Sequence, residues 1–234
     1  METGVHFIFR RHVMAVISSN VEICNLALSH IDEGVTVADI DTNPTTNAEL
    51  ECQKWYDTTR RGLLRKFVWN FARKRRTITL GGTPLFGFDD YYTLPNDFLR
   101  LLAFGNSGDT DVYYDWYQHR YRYQIEQKKI LMNNDGTASL NIVYINDNII
   151  VGEYDALFIE TLALKLAYKM AYRFTTKKSV VERIALELEQ KEQEAVAIDG
   201  QERPARRVEV SQFTSARRRR GSLSVASPYT VFKG

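Results

Sequence analysis

Between Lys66 and Thr79 the hydrophobic period of the chain changes, and that change limits the folds open to it. Upstream, apolar residues recur at helical spacing; from Thr77 they alternate as in a strand, and helical spacing returns at about Tyr154. Helices, then strands, then helices again is the order of an α+β protein, not of an alternating βαβ fold. The stretch itself carries Phe67, Trp69 and Phe71, followed by Arg73, Lys74, Arg75 and Arg76. Each ring can bury about 150–250 Å², so the three are expected to form an interlayer joint that clamps two layers together. The cations are expected at a solvated helix end, where they suit the negative end of the helix dipole.

The helices on either side have start signals. Ser19 and Glu22 form a capping box ahead of a first helix to about Asp32, with Val21, Cys24, Leu28 and Ile31 on one face. A second helix is expected from Asn43-Pro44, with Thr46 and Glu49 as a further capping signal. Its buried stripe is Ala48, Cys52, Trp55 or Tyr56, Leu63 and Phe67, interrupted by Gly62. The helix from Tyr154 to Phe174 is apolar almost all round, apart from Lys165, Lys169 and Arg173, and is expected at the centre of a helical layer. Ser179 and Glu182 suggest a last capping box, with Val181, Ile184, Leu188 and Ala195 facing inward and Glu187 and Lys191 paired outward. In the middle, Thr77–Leu80 reads as a strand broken by Gly81-Gly82. The run from Asp90 to Phe104 reads as a strand, a tight turn at Pro95 and then a second strand or helical turn, and Tyr113–Ile125 is β-prone. Lys129–Met132 and Ser139–Ile145, joined through Asn133-Asn134-Asp135-Gly136, read as a hairpin.

The fold expected is therefore a helical bundle of four main helices with an inserted antiparallel β-domain and an extended C-terminal arm. Residues 1–18 form a flexible N-terminal extension, 19–76 and 150–200 the helical domain, 77–149 the β-domain and 201–234 the arm. The arm holds eight Lys/Arg against two Glu and has no hydrophobic period, so it is expected to order only on a partner. Its Arg217–Arg220 run could meet phosphates or the carboxylates of another protein. The apolar ending Tyr229, Val231 and Phe232 favours a protein.

Catalytic chemistry has no signature here. There is no phosphate loop, no dinucleotide fingerprint and no nucleophile elbow. His6, His12, His30 and His119 share no metal-ligand spacing, and Asp109, Asp111 and Asp115 lack the glycine and closing glutamate of a calcium loop. Asp89-Asp90 reads as a solvated turn. Cys24 and Cys52 lie on separate helices and read as buried free thiols. The helix from Tyr154 carries too many charges to span a bilayer.

Four motifs occur in a telling order: Ile-Cys-Asn-Leu-Ala-Leu-Ser-His-Ile-Asp-Glu from Ile23, Trp-Asn-Phe-Ala-Arg-Lys-Arg from Trp69, Tyr-Thr-Leu-Pro-Asn-Asp-Phe-Leu-Arg from Tyr92, and Tyr-Asp-Ala-Leu-Phe-Ile-Glu-Thr-Leu-Ala-Leu-Lys-Leu-Ala-Tyr from Tyr154. Over roughly Val21 to Phe213 the chain resembles the tail tubular protein A-like head-to-tail adaptors of short-tailed bacteriophages. It departs from them at Asp32, where glycine is expected, and in its N-terminal extension and tyrosine-containing tail. The resemblance implies a virion structural protein without catalysis or cofactors, assembled in the host cytoplasm. It implies a homo-oligomeric ring of twelve copies between the portal protein and the tail nozzle protein, around the channel for genomic DNA, with no membrane contact. It also implies a portal-binding arm, comprising Arg206, Arg207, Phe213, Arg217, Arg218, Arg219, Arg220, Tyr229, Val231 and Phe232. The competing reading of the residues is a nucleic-acid-binding module built on Arg73–Arg76 and Arg217–Arg220.

Overall fold

The structure is a computed structural model and describes residues 17–31, 34–106, 123–133 and 136–201. Residues 1–16 of the expected extension, most of the β-prone run after Tyr113, and every residue named for the arm lie outside the described residues. Helices α1 (Asn20–Ser29) and α2 (Asn47–Lys66) precede six strands, and α3 (Ala156–Phe174) and α4 (Lys178–Gln201) follow them. The strands are β1 (Arg73–Gly82), β2 (Asp90–Thr93), β3 (Phe98–Asn106), β4 (Tyr123–Glu126), β5 (Lys129–Met132) and β6 (Ser139–Asn146). The protein is thus mixed α+β: the described residues form four α-helices and one antiparallel half-barrel sheet in the order β3-β6-β1-β2-β5-β4.

Both early helices open on complete capping boxes. Ser19 Oγ accepts from the Glu22 amide and Glu22 reaches back to the Ser19 amide; Thr46 and Glu49 do the same for α2. The expected start at Pro44 is therefore three residues early, because the box at Thr46 satisfies two amides that Pro44 would leave open. Glu49 does more than cap. Its carboxylate also accepts from the amides of Ala38 (3.2 Å) and Thr45 (2.8 Å), tying down the chain between α1 and α2. The Thr46 amide above all, with those of Thr45 and Ala38, holds its pKa down to about 2, against an ordinary 4.5. A depressed carboxylate stabilises the fold fully above its unfolded pKa and stops doing so as pH falls through the folded one. Glu49→Gln is expected to destabilise at pH 6. The difference from wild type in urea unfolding should persist down to about pH 4.5 and close between there and pH 2.

α2 runs without interruption through Gly62. A Cβ there would meet nothing within 4 Å, so no packing reason holds the glycine in place. Gly62→Ala is expected to stabilise the protein by about 1 kcal/mol, read as a higher urea midpoint at unchanged slope.

The helix ends earlier than its pattern suggests. Phe67 is already extended (φ −112°, ψ 165°), and Arg73–Arg76 form the first half of β1 instead of a helix end, paired in register with Ile145–Ile142 of β6. Side chains from elsewhere terminate α2. Arg100 Nη1 donates to the carbonyls of Arg65 (3.3 Å) and Lys66 (3.4 Å), and Trp69 Nε1 donates to that of Leu63 (3.3 Å). The sheet therefore begins at Arg73 and not at Thr77. It also runs through Gly81-Gly82, where a Cβ on Gly81 would collide with the Tyr91 ring.

The expected hairpin between β5 and β6 is not a hairpin. β5 pairs with β2 and β4, while β6 pairs with β1 and β3. The connection is pinned to the other strands: Asp89 N donates to Asn133 Oδ1, Gly136 N to Asp90 Oδ2, Tyr92 Oη to the Thr137 carbonyl and Leu80 N to the Ala138 carbonyl. The tight two-residue hairpin is β4–β5, through Gln127 (φ 44°) and Lys128 (φ 60°). Such turns need positive φ at both positions and favour Asn-Gly, so Gln-Lys gives no sequence signal.

β6 is the wall between two cores. Leu140, Ile142 and Tyr144 face a sheet core with Ile78, Tyr92, Leu94, Ile130 and Met132. Val143 and Ile145 face the helices, among Cys24, Cys52, Leu63, Trp69, Phe158, Leu162 and Met170. Period-two alternation with both faces buried gives β6 a near-continuous apolar sequence. On the helical side, α3 lies against both α1 and α2 and is the buried centre expected of it. α4 starts at Lys178, so Ser179 lies inside its first turn and not at the N-cap position; Glu187 pairs with Arg183 (3.0 Å), and Lys191 with Glu160 (2.8 Å).

Candidate functional site

The interlayer residues lie together. Trp69 is buried, with its ring 5.9 Å from that of Phe67, 6.1 Å from Phe71 and 5.1 Å from Phe158. Phe71 stands 5.5 Å from Tyr154 and 5.0 Å from Phe158. Five rings thus meet where α2 ends, β1 begins and α3 starts, mostly edge to face, the arrangement the ring quadrupoles favour. The cluster has no polar reactive group apart from the Tyr154 hydroxyl, which donates to the Asn148 carbonyl (2.9 Å).

Beside it lies an ionic knot that sequence reasoning missed. Arg60 of α2 is almost fully buried. Its Nη1 donates to Asp147 Oδ1 (2.7 Å) and to the Asn148 carbonyl (2.6 Å), and its Nη2 to Asp57 Oδ1 (3.1 Å). Arg61 Nε binds the second oxygen of Asp147 at 2.8 Å. Burial works against the Arg60 charge, but the Asp147 carboxylate outweighs it with the help of these hydrogen bonds, and the net shift is upward. The knot ties α2 to the segment between β6 and α3. Asn148 completes that segment by donating to Glu153 Oε2 (2.8 Å) and accepting from the Ile150 amide (2.9 Å). The available signal was phase: Arg60 lies four residues after Tyr56 and eight after Cys52, in step with the buried stripe of α2. Next to the knot is an open cleft of about 270 Å³, lined by Asn20, Ile40, Asp41, Gln53, Tyr56, Asp57, Arg60 and Ile149.

Among the described residues no three His, Cys, Asp or Glu side chains group as a metal site. Cys24 and Cys52 are buried free thiols, with Cys52 Sγ 3.8 Å from Met170 Sδ; the neighbouring Cys52 thiol and burial push Cys24 well above the usual thiol range. Asp89 is exposed while Asp90 is buried, its carboxylate accepting from the Gly136 amide, so the two do not work as an acid–base pair. His30 Nδ1 stands 3.9 Å from Glu187, with burial pulling its pKa down.

The surface is more informative than the interior. Between β1 and β2 the chain carries Leu85 and Phe86, 99% and 86% exposed, at the end of a well-anchored hairpin. The Tyr91 ring braces its glycines, and Lys129 Nζ lies 4.3 Å from the centre of that ring. On β1, Lys74 is neutralised by Asp97 (2.7 Å). Arg73 and Arg75 are exposed, with no carboxylate partner among the described residues. No family model matches the chain, and no curated protein matches it in sequence. Among the described residues no helix is long and apolar enough to cross a membrane.

Proposed function

We propose that the protein is a structural adaptor of a phage virion, a ring that joins the portal to the tail nozzle and lines the DNA channel. In this reading the four helices are a bundle, the sheet is a β-domain inserted between its second and third helices, and the residues after α4 are an arm that docks on the portal. The observation that carries the reading is the β1–β2 tip. Two large apolar side chains held almost wholly in solvent on a braced hairpin are a poor arrangement for a free protein and a good one for an assembly component, whose partner supplies the missing pocket. The order of elements and the four motifs supply the kind of assembly. The tip is the contact to the nozzle, and the basic, apolar-ended arm is the contact to the portal.

Binding of purified portal and nozzle proteins tests both contacts. Leu85→Ser/Phe86→Ser is expected to keep the wild-type melting curve and portal binding while weakening nozzle binding by about a hundredfold, the scale of a lost apolar anchor. Deletion of residues 215–234 is expected to do the reverse. A wild-type protein that stays monomeric and ignores portal ends the adaptor reading.

The second reading is a nucleic-acid-binding module, and the observation favouring it is the exposed arginines Arg73, Arg75 and Arg76 on β1, none of which has a carboxylate partner among the described residues. Binding through them would fall steeply with salt. DNA affinity measured from 50 to about 200 mM salt decides: a flat response removes this reading.

A further inference from the structure

The helical layer carries two outer faces of opposite charge. On the C-terminal half of α3, residues 165, 168, 169, 172 and 173 share one side of the helix by spacing. Tyr172 is 75% exposed and Tyr168 40%. Lys169 Nζ lies 4.9 Å from the centre of the half-buried Trp55 ring of α2, and Lys54 lies 5.0 Å from the same ring. Neither Lys169 nor Arg173 has a carboxylate partner among the described residues, whereas Lys165 is taken up by Glu192 (3.2 Å). On α4 the buried residues Val181, Ile184 and Ala195 define the inner side. The outer side, at spacings of four and three, is Glu182, Leu186 and Glu189. Leu186 is 62% exposed, and neither glutamate has a cationic partner among the described residues, although Glu187, Glu192 and Glu194 nearby are all paired.

One face is thus an exposed tyrosine beside two cations that have no carboxylate partner among the described residues, and the other an exposed leucine between two carboxylates that have no cationic partner there. We infer that the two are the unlike halves of a contact between copies of this chain: Tyr172 of one copy packs on Leu186 of the next, with Lys169 and Arg173 opposite Glu182 and Glu189. A contact between different patches of identical subunits is heterologous and propagates head to tail, closing into a ring if the rotation allows. The charges select this register, because the alternative contacts, α3 on α3 or α4 on α4, set like charges against each other. The inference rests on the adaptor reading and names the flanks that its ring would use.

The test uses full-length protein and two charge-reversed forms, Lys169→Glu/Arg173→Glu and Glu182→Lys/Glu189→Lys. Self-association is followed by sedimentation velocity over a wide concentration range. Each form alone is expected to associate at least about tenfold more weakly than wild type, and their equimolar mixture to recover, since each then presents what the other lacks. Separately, Tyr172→Cys copies mixed with Leu186→Cys copies are expected to give a heterodimer with a short bismaleimide. The native thiols Cys24 and Cys52 are buried and out of its reach. If wild type assembles and the reversed forms assemble equally well, or the mixture does not recover, this contact is wrong and the adaptor reading stands. If wild type stays monomeric and the cysteine pair gives no cross-link, the contact is likewise overturned. Loss of the adaptor reading itself is read independently, from portal binding.

Discussion

Arg60→Met is expected to cost about 3 kcal/mol of unfolding free energy, measured by urea denaturation at neutral pH. Breaking one side of a buried ion pair typically costs about 3–5 kcal/mol, because the other charge is left desolvated without its partner. Three features of this knot place the effect at the lower end. Asp147 keeps Arg61 at 2.8 Å on its other oxygen. The Asn148 carbonyl keeps the Tyr154 hydroxyl at 2.9 Å. Asp57 has a side chain 70% exposed, so its contact with Arg60 contributes little to begin with. What Arg60→Met cannot replace is the simultaneous grip on Asp147 and Asn148, which holds the segment between β6 and α3 on α2. Arg60→Lys should be only slightly milder, since a single ammonium cannot reach donors spread over a planar guanidinium. Asp147→Asn in the Arg60→Met background should cost much less than Asp147→Asn alone, giving a coupling energy of about 1–3 kcal/mol in the double-mutant cycle. Additive costs would mean that the two residues do not act as a pair.

How far the sequence reaches differs between elements, for physical reasons. The capping boxes at Ser19 and Thr46 are local chemistry, with donor and acceptor three residues apart, and both were legible. So was the burial of α3, because a helix apolar on nearly all sides has nowhere else to go. The end of α2 was not legible. Its stop comes from Arg100, which lies 34 residues beyond Lys66, and from the Trp69 indole, and no short window contains that information. The pairing of β5 was misread for a related reason. Asn133 and Gly136 are good turn residues wherever a chain reverses, but whether the flanking strands pair with each other depends on the partners offered by β1 and β2. The Gln127-Lys128 turn was invisible because it departs from turn preference. Arg60 was overlooked by counting only apolar residues in the stripe of α2, although its phase marks it as buried.

Trp69→Ala should be comparably damaging, at about 3–5 kcal/mol, the usual range for removing a large aromatic from a core that cannot collapse around the hole. Collapse is restrained here because Phe67, Phe71 and Phe158 surround the indole and are themselves held by α2, β1 and α3. Trp69→Phe keeps most of the apolar contact and loses the bond to the Leu63 carbonyl, so about 1–2 kcal/mol is expected. Phe67→Ala, at a half-buried position, should cost less than Trp69→Ala. The mode of unfolding is the sharper readout. The helix-side core contains residues of all four helices together with Leu102, Ala103, Val143 and Ile145 of the sheet, so helices and sheet should melt together in wild type. If the rings fix the sheet to the helices, Trp69→Ala should also loosen that coupling. Far-ultraviolet circular dichroism, dominated by helix, and near-ultraviolet signal from the tyrosines of the sheet should then separate into two transitions. Coincident transitions at a lowered midpoint would show that the rings contribute stability alone, and that β6, buried on both faces, is what couples the layers.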